Sequence, residues 1–361
     1  MEHFIMDPIY VTKTFLPPLE EYIACLREIW DTNIVTKDGP FLKKFEKQLK
    51  NFSNVKYVIP VVNGTIALQL AIKAMDLKGE VLTTPFTFVA TSGALVWERC
   101  TPVFIDIDPD TLNLDPDKIA NKITRQTSAI LPVHVYGNPC DIDRIEAVAQ
   151  KYNLKTIYDA AHAFGSQYRN KSVFAYGDVT MASFQATKAL HTVEGGAIFT
   201  NNNEIAEKIW TLSYFGMAGS SITRDGTNAK LNELCAAMGI LNLKYFEQCT
   251  KIRQSLYNLY LHYLKNNDNI RFQTTIDEIN YSYFPVIFKS NSIRETIVKK
   301  LNEKKIFPRE YFSPSLETVF SAGPDIDCPI AFDISKRILC LPLSTYITAD
   351  DVDRICRIIN S

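Results

Sequence analysis

No stretch of this 361-residue chain approaches the roughly 18 uninterrupted apolar residues of a membrane span; the obvious run, Tyr57 to Val62, is far too short. Charge of one sign is not in excess either. The 39 lysines and arginines against 40 aspartates and glutamates leave a net charge of −1, so no global field favours nucleic acid or an anionic membrane, and an anionic ligand has to be caught locally. The eight cysteines are scattered singly, without a Cys-x-x-Cys pair or a histidine at zinc-finger spacing. That pattern excludes a disulfide framework and a zinc module and reads as reduced, mostly buried thiols; no metal is expected. Also missing are a Gly-x-Gly-x-x-Gly after a strand, a Gly-Lys-Ser/Thr loop and a His-Glu-x-x-His, which disfavours nicotinamide Rossmann enzymes, P-loop enzymes and zincins. Met1 to Asp7 carry acids where a secretory signal carries a basic region and then an apolar stretch, so a cytoplasmic location is expected.

What is there is ordinary globular material, 46% hydrophobic and 22% charged, in a length that suits two domains. From about residue 55 to 200, short β-rich runs alternate with helical patterns. Strands are expected at Glu80–Thr84, Pro102–Ile107, Ser128–Val133, Lys155–Tyr158, Val179–Phe184 and Gly196–Thr200, with helices such as Thr65–Met75, Val89–Glu98, Asp141–Tyr152 and Asn203–Tyr214 between them. Several strands are continuous apolar runs, as in a parallel sheet buried on both faces. A long helix is expected over 231–264, followed by strands Tyr281–Phe288 and Arg337–Leu341 and helices Ile293–Glu303 and Ala349–Ile359. The expectation is an α/β protein with a large domain over 1–250 and a small C-terminal α/β domain over 251–361, without repeats or a flexible linker.

Four segments fall at strand ends or helix starts, where open α/β sheets place ligands. In Val62-Asn63-Gly64-Thr65, Gly64 lets a phosphate approach the backbone and Thr65 adds a hydroxyl at a helix N-terminus; the same wording also serves an ordinary helix cap. Thr84-Pro85-Phe86-Thr87-Phe88 ends an apolar strand, and Phe88 is the ring chosen to stack on a flat heteroaromatic ligand, although a phenylalanine taken alone is more often a core residue. Tyr158-Asp159-Ala160-Ala161-His162 puts a carboxylate among small apolar residues. A buried acid is costly unless it meets a cation, so Asp159 is expected to face a protonated group, with His162 close to whatever the acid binds or satisfied in the core. In Ser183-Phe184-Gln185-Ala186-Thr187-Lys188, the lysine lies in a turn between two apolar strands, where desolvation favours a neutral, nucleophilic amine suited to a Schiff base. A phosphate cup, a stacking aromatic, an acid for a ring nitrogen and a buried lysine are together what pyridoxal 5′-phosphate (PLP) requires.

These segments resemble the DegT/DnrJ/EryC1/StrS sugar aminotransferases, which have the fold of aspartate aminotransferase (PLP-dependent transferase fold type I). The similarity runs from Lys37-Asp38-Gly39-Pro40 through the four segments and Gly226-Thr227-Asn228-Ala229-Lys230 to Leu341-Pro342-Leu343-Ser344, and the Ser-Phe-x-x-x-Lys-x-x-x-x-x-Glu-Gly-Gly block is its most specific part. The resemblance implies that Lys188 bonds the cofactor, Asp159 pairs with the pyridine nitrogen, Ser183 and Thr65 bind phosphate, and His162 contacts the ring's 3′-oxygen. It also implies that Asn228 reaches the cofactor phosphate of a neighbouring subunit, making a homodimer with shared sites. Lys230 stands where many relatives have Arg; Arg224, Lys230, Arg309 and Tyr311 are the candidate substrate contacts. The implied reaction moves nitrogen from L-glutamate to a dTDP-linked 4-keto-6-deoxy hexose, giving a 4-amino-4,6-dideoxy sugar for O-antigen. The alternatives are amination of a 3-keto sugar, PLP-dependent sugar dehydration and a non-catalytic regulatory protein on the same fold; a branch that removes oxygen has histidine in place of the lysine.

Overall fold

A computed structural model describes residues 7–36, 38–320 and 327–361. The readings made at Met1–Met6 and at Lys37 lie outside the described residues. The large sheet has seven strands: β1 (Tyr57–Val61), β2 (Glu80–Thr83), β3 (Thr101–Phe104), β4 (Thr127–Leu131), β5 (Lys155–Asp159), β6 (Val179–Ser183) and β7 (Gly196–Thr200). Their spatial order is β1-β7-β6-β5-β4-β2-β3. Only β7 runs against its neighbours, β1 and β6; every other adjacent pair is parallel.

Side chains on successive strand positions point to opposite faces, and both faces are covered. Ile157, Met181 and Ile198 join one apolar cluster with Leu68 and Ile209, while Tyr158, Ala182 and Phe199 join another with Phe45 and Phe164. That two-sided burial explains why the strands read as unbroken apolar runs rather than alternations. The covering helices include α1 (Leu19–Thr32), α2 (Pro40–Ser53), α3 (Gly64–Ala74), α4 (Val89–Trp97), α5 (Ile142–Tyr152) and α6 (Asn203–Ser213). Neither α1 nor α2 was among the helices expected from sequence. Phe41, Phe45 and Leu49 form the buried stripe of α2, and they pack into the same cluster as Ala236, Ala237 and Ile240.

Helix α7 (Glu233–Leu264) is capped by Asn232, whose side chain accepts the Cys235 N–H at 2.8 Å. It runs unbroken through residue 250, the expected domain boundary, so that boundary lies inside a continuous helix. Its C-terminal half packs Leu256, Tyr260 and Leu264 on a three-stranded antiparallel sheet of β8 (Ile270–Phe272), β9 (Phe284–Phe288) and β10 (Ile338–Leu341), together with α8 (Asn291–Glu303) and α9 (Ala349–Ile359). The expected strand Tyr281–Phe288 begins three residues late because Tyr281 has φ 52° and the Ser282 N–H is taken by Asn280 Oδ1 at 3.2 Å. Near the N-terminus, Ile9–Tyr10 pair in parallel with Ile306–Phe307, and the Leu343 N–H donates to the Val11 carbonyl at 3.0 Å.

Candidate active site

The C-terminal ends of β1, β2, β5 and β6 open on one cavity of about 510 Å³. Gly64, Thr65, Phe88, Asp159, His162, Ser183, Lys188 and Tyr311 all line it. Four segments, with Gly64 and Lys188 124 residues apart, therefore meet because parallel strands end on the same edge of the sheet.

The turn after β1 is shaped by Asn63, whose side chain accepts the Ile66 N–H at 2.8 Å and so starts α3. The Gly64 and Thr65 N–H groups precede any possible intrahelical acceptor and belong to the positive end of the helix. A Cβ on Gly64 would lie 2.9 Å from Ser183 Cβ and from Met181 Cε, so the absent side chain is what lets the helix start sit against the end of β6. Phe88 is 57% exposed and precedes α4, a position incompatible with a core role. The buried ring in that segment is Phe86, edge-on to Tyr136 and Phe312.

Asp159 is almost wholly buried. Its Oδ2 accepts from the Thr91 hydroxyl at 2.8 Å and its Oδ1 from the Ala161 N–H at 3.0 Å. Thr91, in turn 2.9 Å from the Thr87 hydroxyl, accepts from it. Burial raises the Asp159 pKa; the Ala161 and Thr91 hydrogen bonds and the charge on Lys188 act the other way. Desolvation lowers Lys188 to about 8, opposed by the Asp159 charge. The His162 Nδ1 accepts the Tyr136 N–H at 3.3 Å, which leaves Nε2 as the donor of a neutral ring. Burial and the Lys188 charge hold that ring well below its ordinary pKa. It stacks nearly parallel to Phe312 at 5.5 Å and lies 4.5 Å from Tyr283, centroid to centroid.

Thr91, Glu194, Gln185, Tyr283 and Phe312 also line the cavity and were not picked out by sequence reasoning. The spacing of Thr87 and Thr91, four apart at a helix start, is a signal that could have pointed to such a pair. Tyr283 and Phe312 come from the C-terminal part and carry no local signal. Asn228, Arg224, Lys230 and Arg309 do not line this cavity. Lys230 Nζ bonds Asn228 Oδ1 and sits over the rings of Tyr214 and Phe215 at 4.8 and 4.5 Å. Arg224 is exposed, and Arg309, also exposed, pairs by backbone with Cys340.

Comparison with known proteins agrees with this geometry. The sequence profile of the DegT/DnrJ/EryC1/StrS aminotransferase family matches residues 19–360. The chain is 42% identical over 356 residues to a dTDP-4-amino-4,6-dideoxy-D-glucose transaminase of Shigella dysenteriae, covering 96% of this chain and 97% of the relative. It superimposes with a TM-score of 0.94 on DesI, solved in the presence of its TDP-sugar product, at 32% identity over 99% of this chain and 93% of that one. It also superimposes with a TM-score of 0.86 on NtdA of Bacillus subtilis, solved with bound cofactor PMP, at 29% identity over 95% and 82% of the two chains. The chain belongs to the DegT/DnrJ/EryC1/StrS aminotransferase family, PLP-dependent transaminases with an α/β fold.

Proposed function

We propose that this aminotransferase moves the amino group of L-glutamate to dTDP-4-dehydro-6-deoxy-D-glucose, giving dTDP-4-amino-4,6-dideoxy-D-glucose for O-antigen synthesis, as a cytoplasmic homodimer. The 42% identical relative that carries this activity in its name supports the substrate, and DesI, with its TDP-sugar product, supports the nucleotide. The observation that carries the chemistry is the placement of a buried carboxylate, Asp159, and a desolvated amine, Lys188, on one cavity above a helix N-terminus.

The residues fit PLP. Asp159 is buried with an O–H and an N–H donor but, among the described residues, no cation in hydrogen-bond contact, and a protonated ring nitrogen would supply the charge that burial of the acid calls for. The unpaired N–H groups at Gly64 and Thr65, with the Ser183 hydroxyl, suit a phosphate dianion. When bound, PLP supplies an aldehyde for the amine and an electron sink for the bond being broken. Around it, Thr91 orients Asp159, the His162 Nε2–H would donate to the ring's 3′-oxygen, and Phe88 would cover a face at the mouth of the site. Lys188 Nζ, poised near neutrality by desolvation, would take the proton from the donor's α carbon as general base and give it back as general acid. Asn228, held by Lys230 outside this cavity, serves the site of a second copy, where Arg224, Lys230 and Arg309 meet substrate diphosphate; Tyr311 meets the sugar on its own cavity.

The decisive experiment supplies glutamate with a panel of 3-keto and 4-keto dTDP and UDP sugars and identifies products by NMR and mass. A 4-amino product from the dTDP substrate supports the proposal. A 3-amino product, a dehydrated sugar lacking nitrogen, or an unchanged cofactor spectrum on adding glutamate would overturn it.

A further inference from the structure

On the other side of the Lys188 turn lies a second, much smaller cavity of about 40 Å³. Arg253, on the part of α7 where the two halves of the molecule meet, is buried against it. Its Nη2 donates to Thr250 Oγ1 at 3.0 Å, and its Nε has no acceptor among the described residues. The hydroxyls of Ser282 and Thr345, on the same cavity, are likewise buried and unpartnered.

Two cationic residues, Lys13 and Arg253, line this space together with the Lys188 turn, and no aspartate or glutamate does among the described residues. His191 supplies no compensating charge: its Nδ1 accepts the Val193 N–H at 3.2 Å, and its Nε2 then donates to the Phe15 carbonyl at 2.6 Å. Burial lowers Arg253 only to about 10, so the guanidinium is a cation at neutral pH. A buried cation without a counter-charge costs several kcal/mol, and three unpaired buried polar groups on one cavity are rare in folded proteins. The space exceeds the ~10–15 Å³ needed for one water-sized occupant but is far too small for an amino acid or a sugar.

We propose that this cavity binds one small monovalent anion of halide size, held by the Arg253 guanidinium and the hydroxyls of Ser282 and Thr345. The anion would tie three separate pieces of chain together. Thr14, on the N-terminal side, already donates to the Ala186 carbonyl at 2.9 Å, Arg253 belongs to α7, and Ser282 and Thr345 come from the C-terminal part. Thr187 and Lys188 line both cavities, but Arg253, Ser282 and Thr345 line only the smaller one, so occupancy is read in stability and does not depend on which sugar is aminated.

The test uses the full-length holoenzyme. Its melting temperature is measured while sodium chloride or bromide replaces sodium gluconate, an anion too large to enter, at constant ionic strength. A saturable rise with halide is expected, absent in Arg253→Met and retained with weaker affinity in Arg253→Lys. Ser282→Ala is expected to weaken the apparent halide affinity about tenfold, the loss of one hydrogen bond to a charged group. Crystals soaked in bromide should give an anomalous peak beside Arg253 Nε. Identical melting in halide and gluconate, or water density with no anomalous signal in the cavity, overturns the proposal, and the wild-type crystal decides the matter even if Arg253→Met fails to fold.

Discussion

Lys188 and Asp159 pull each other toward the charged state while burial pulls both toward neutrality. In the cofactor-free protein the lysine's pKa of about 8 lies below the free value of about 10.4. Between those values the unfolded chain binds more protons, so this group makes stability rise with pH across that window, and its full destabilising cost is present below it. Lys188→Met apoprotein is therefore expected to exceed wild type in urea midpoint at pH 7, with the gap narrowing toward pH 10; a gap independent of pH would show that the amine is not desolvated. In catalysis, Lys188→Ala should lower turnover at least ~10²-fold, and single-turnover spectra with glutamate would check it. Asp159→Asn keeps the shape but removes the charge that holds a proton on the ring, so the glutamate half-reaction should slow about 10²-fold. An unchanged half-reaction rate would give the acid another job.

At the scale of elements, the site depends on how α3 leaves β1 and docks on β6. Asn63 caps the helix, and its replacement by Ala is expected to cost about 1 kcal/mol in denaturant unfolding. Gly64→Ala acts differently, because the new methyl group would meet Ser183 Cβ and Met181 Cε at 2.9 Å. Overpacking of that kind costs roughly 1–3 kcal/mol, and displacing Ser183 should also weaken PLP retention, measured by dialysis and cofactor absorbance. Full retention with loss of stability alone would separate the docking role from the phosphate role. The strand ends were legible in sequence because β2, β5 and β6 are apolar runs that stop at polar or small residues. The start of β9 was not, because the left-handed Tyr281 and the Asn280 hydrogen bond that delay it leave no mark in the hydropathy pattern.

Across the whole molecule, the larger cavity is closed by an aromatic wall contributed from the C-terminal part. Phe312 packs on Phe86, Tyr136 and His162 with centroids 5.8, 5.8 and 5.5 Å apart. Phe312→Ala removes a buried ring shared by both parts, so a loss of about 3–5 kcal/mol in stability is expected, together with a higher KM for the sugar as the wall loosens. Calorimetry and steady-state kinetics on the same variant would check this. A fall in stability with unchanged KM would place the ring in the core alone.

The sequence by itself determined much of the strand and helix alternation and which strand-end residues line the cavity, because these depend on local periodicity and on chemistry carried by single residues. Gly64, Asp159 and Lys188 could be named without coordinates for that reason. Only the tertiary structure decided that Thr91 supports Asp159, that Tyr283 and Phe312 close the cavity, and that Phe88 stands at its mouth while Phe86 fills the core. It also placed Asn228 and Lys230 on each other and away from the cavity. Those outcomes depend on which distant segments share a sheet edge or a cluster, a contest of packing and burial among residues far apart in the chain that no local pattern encodes.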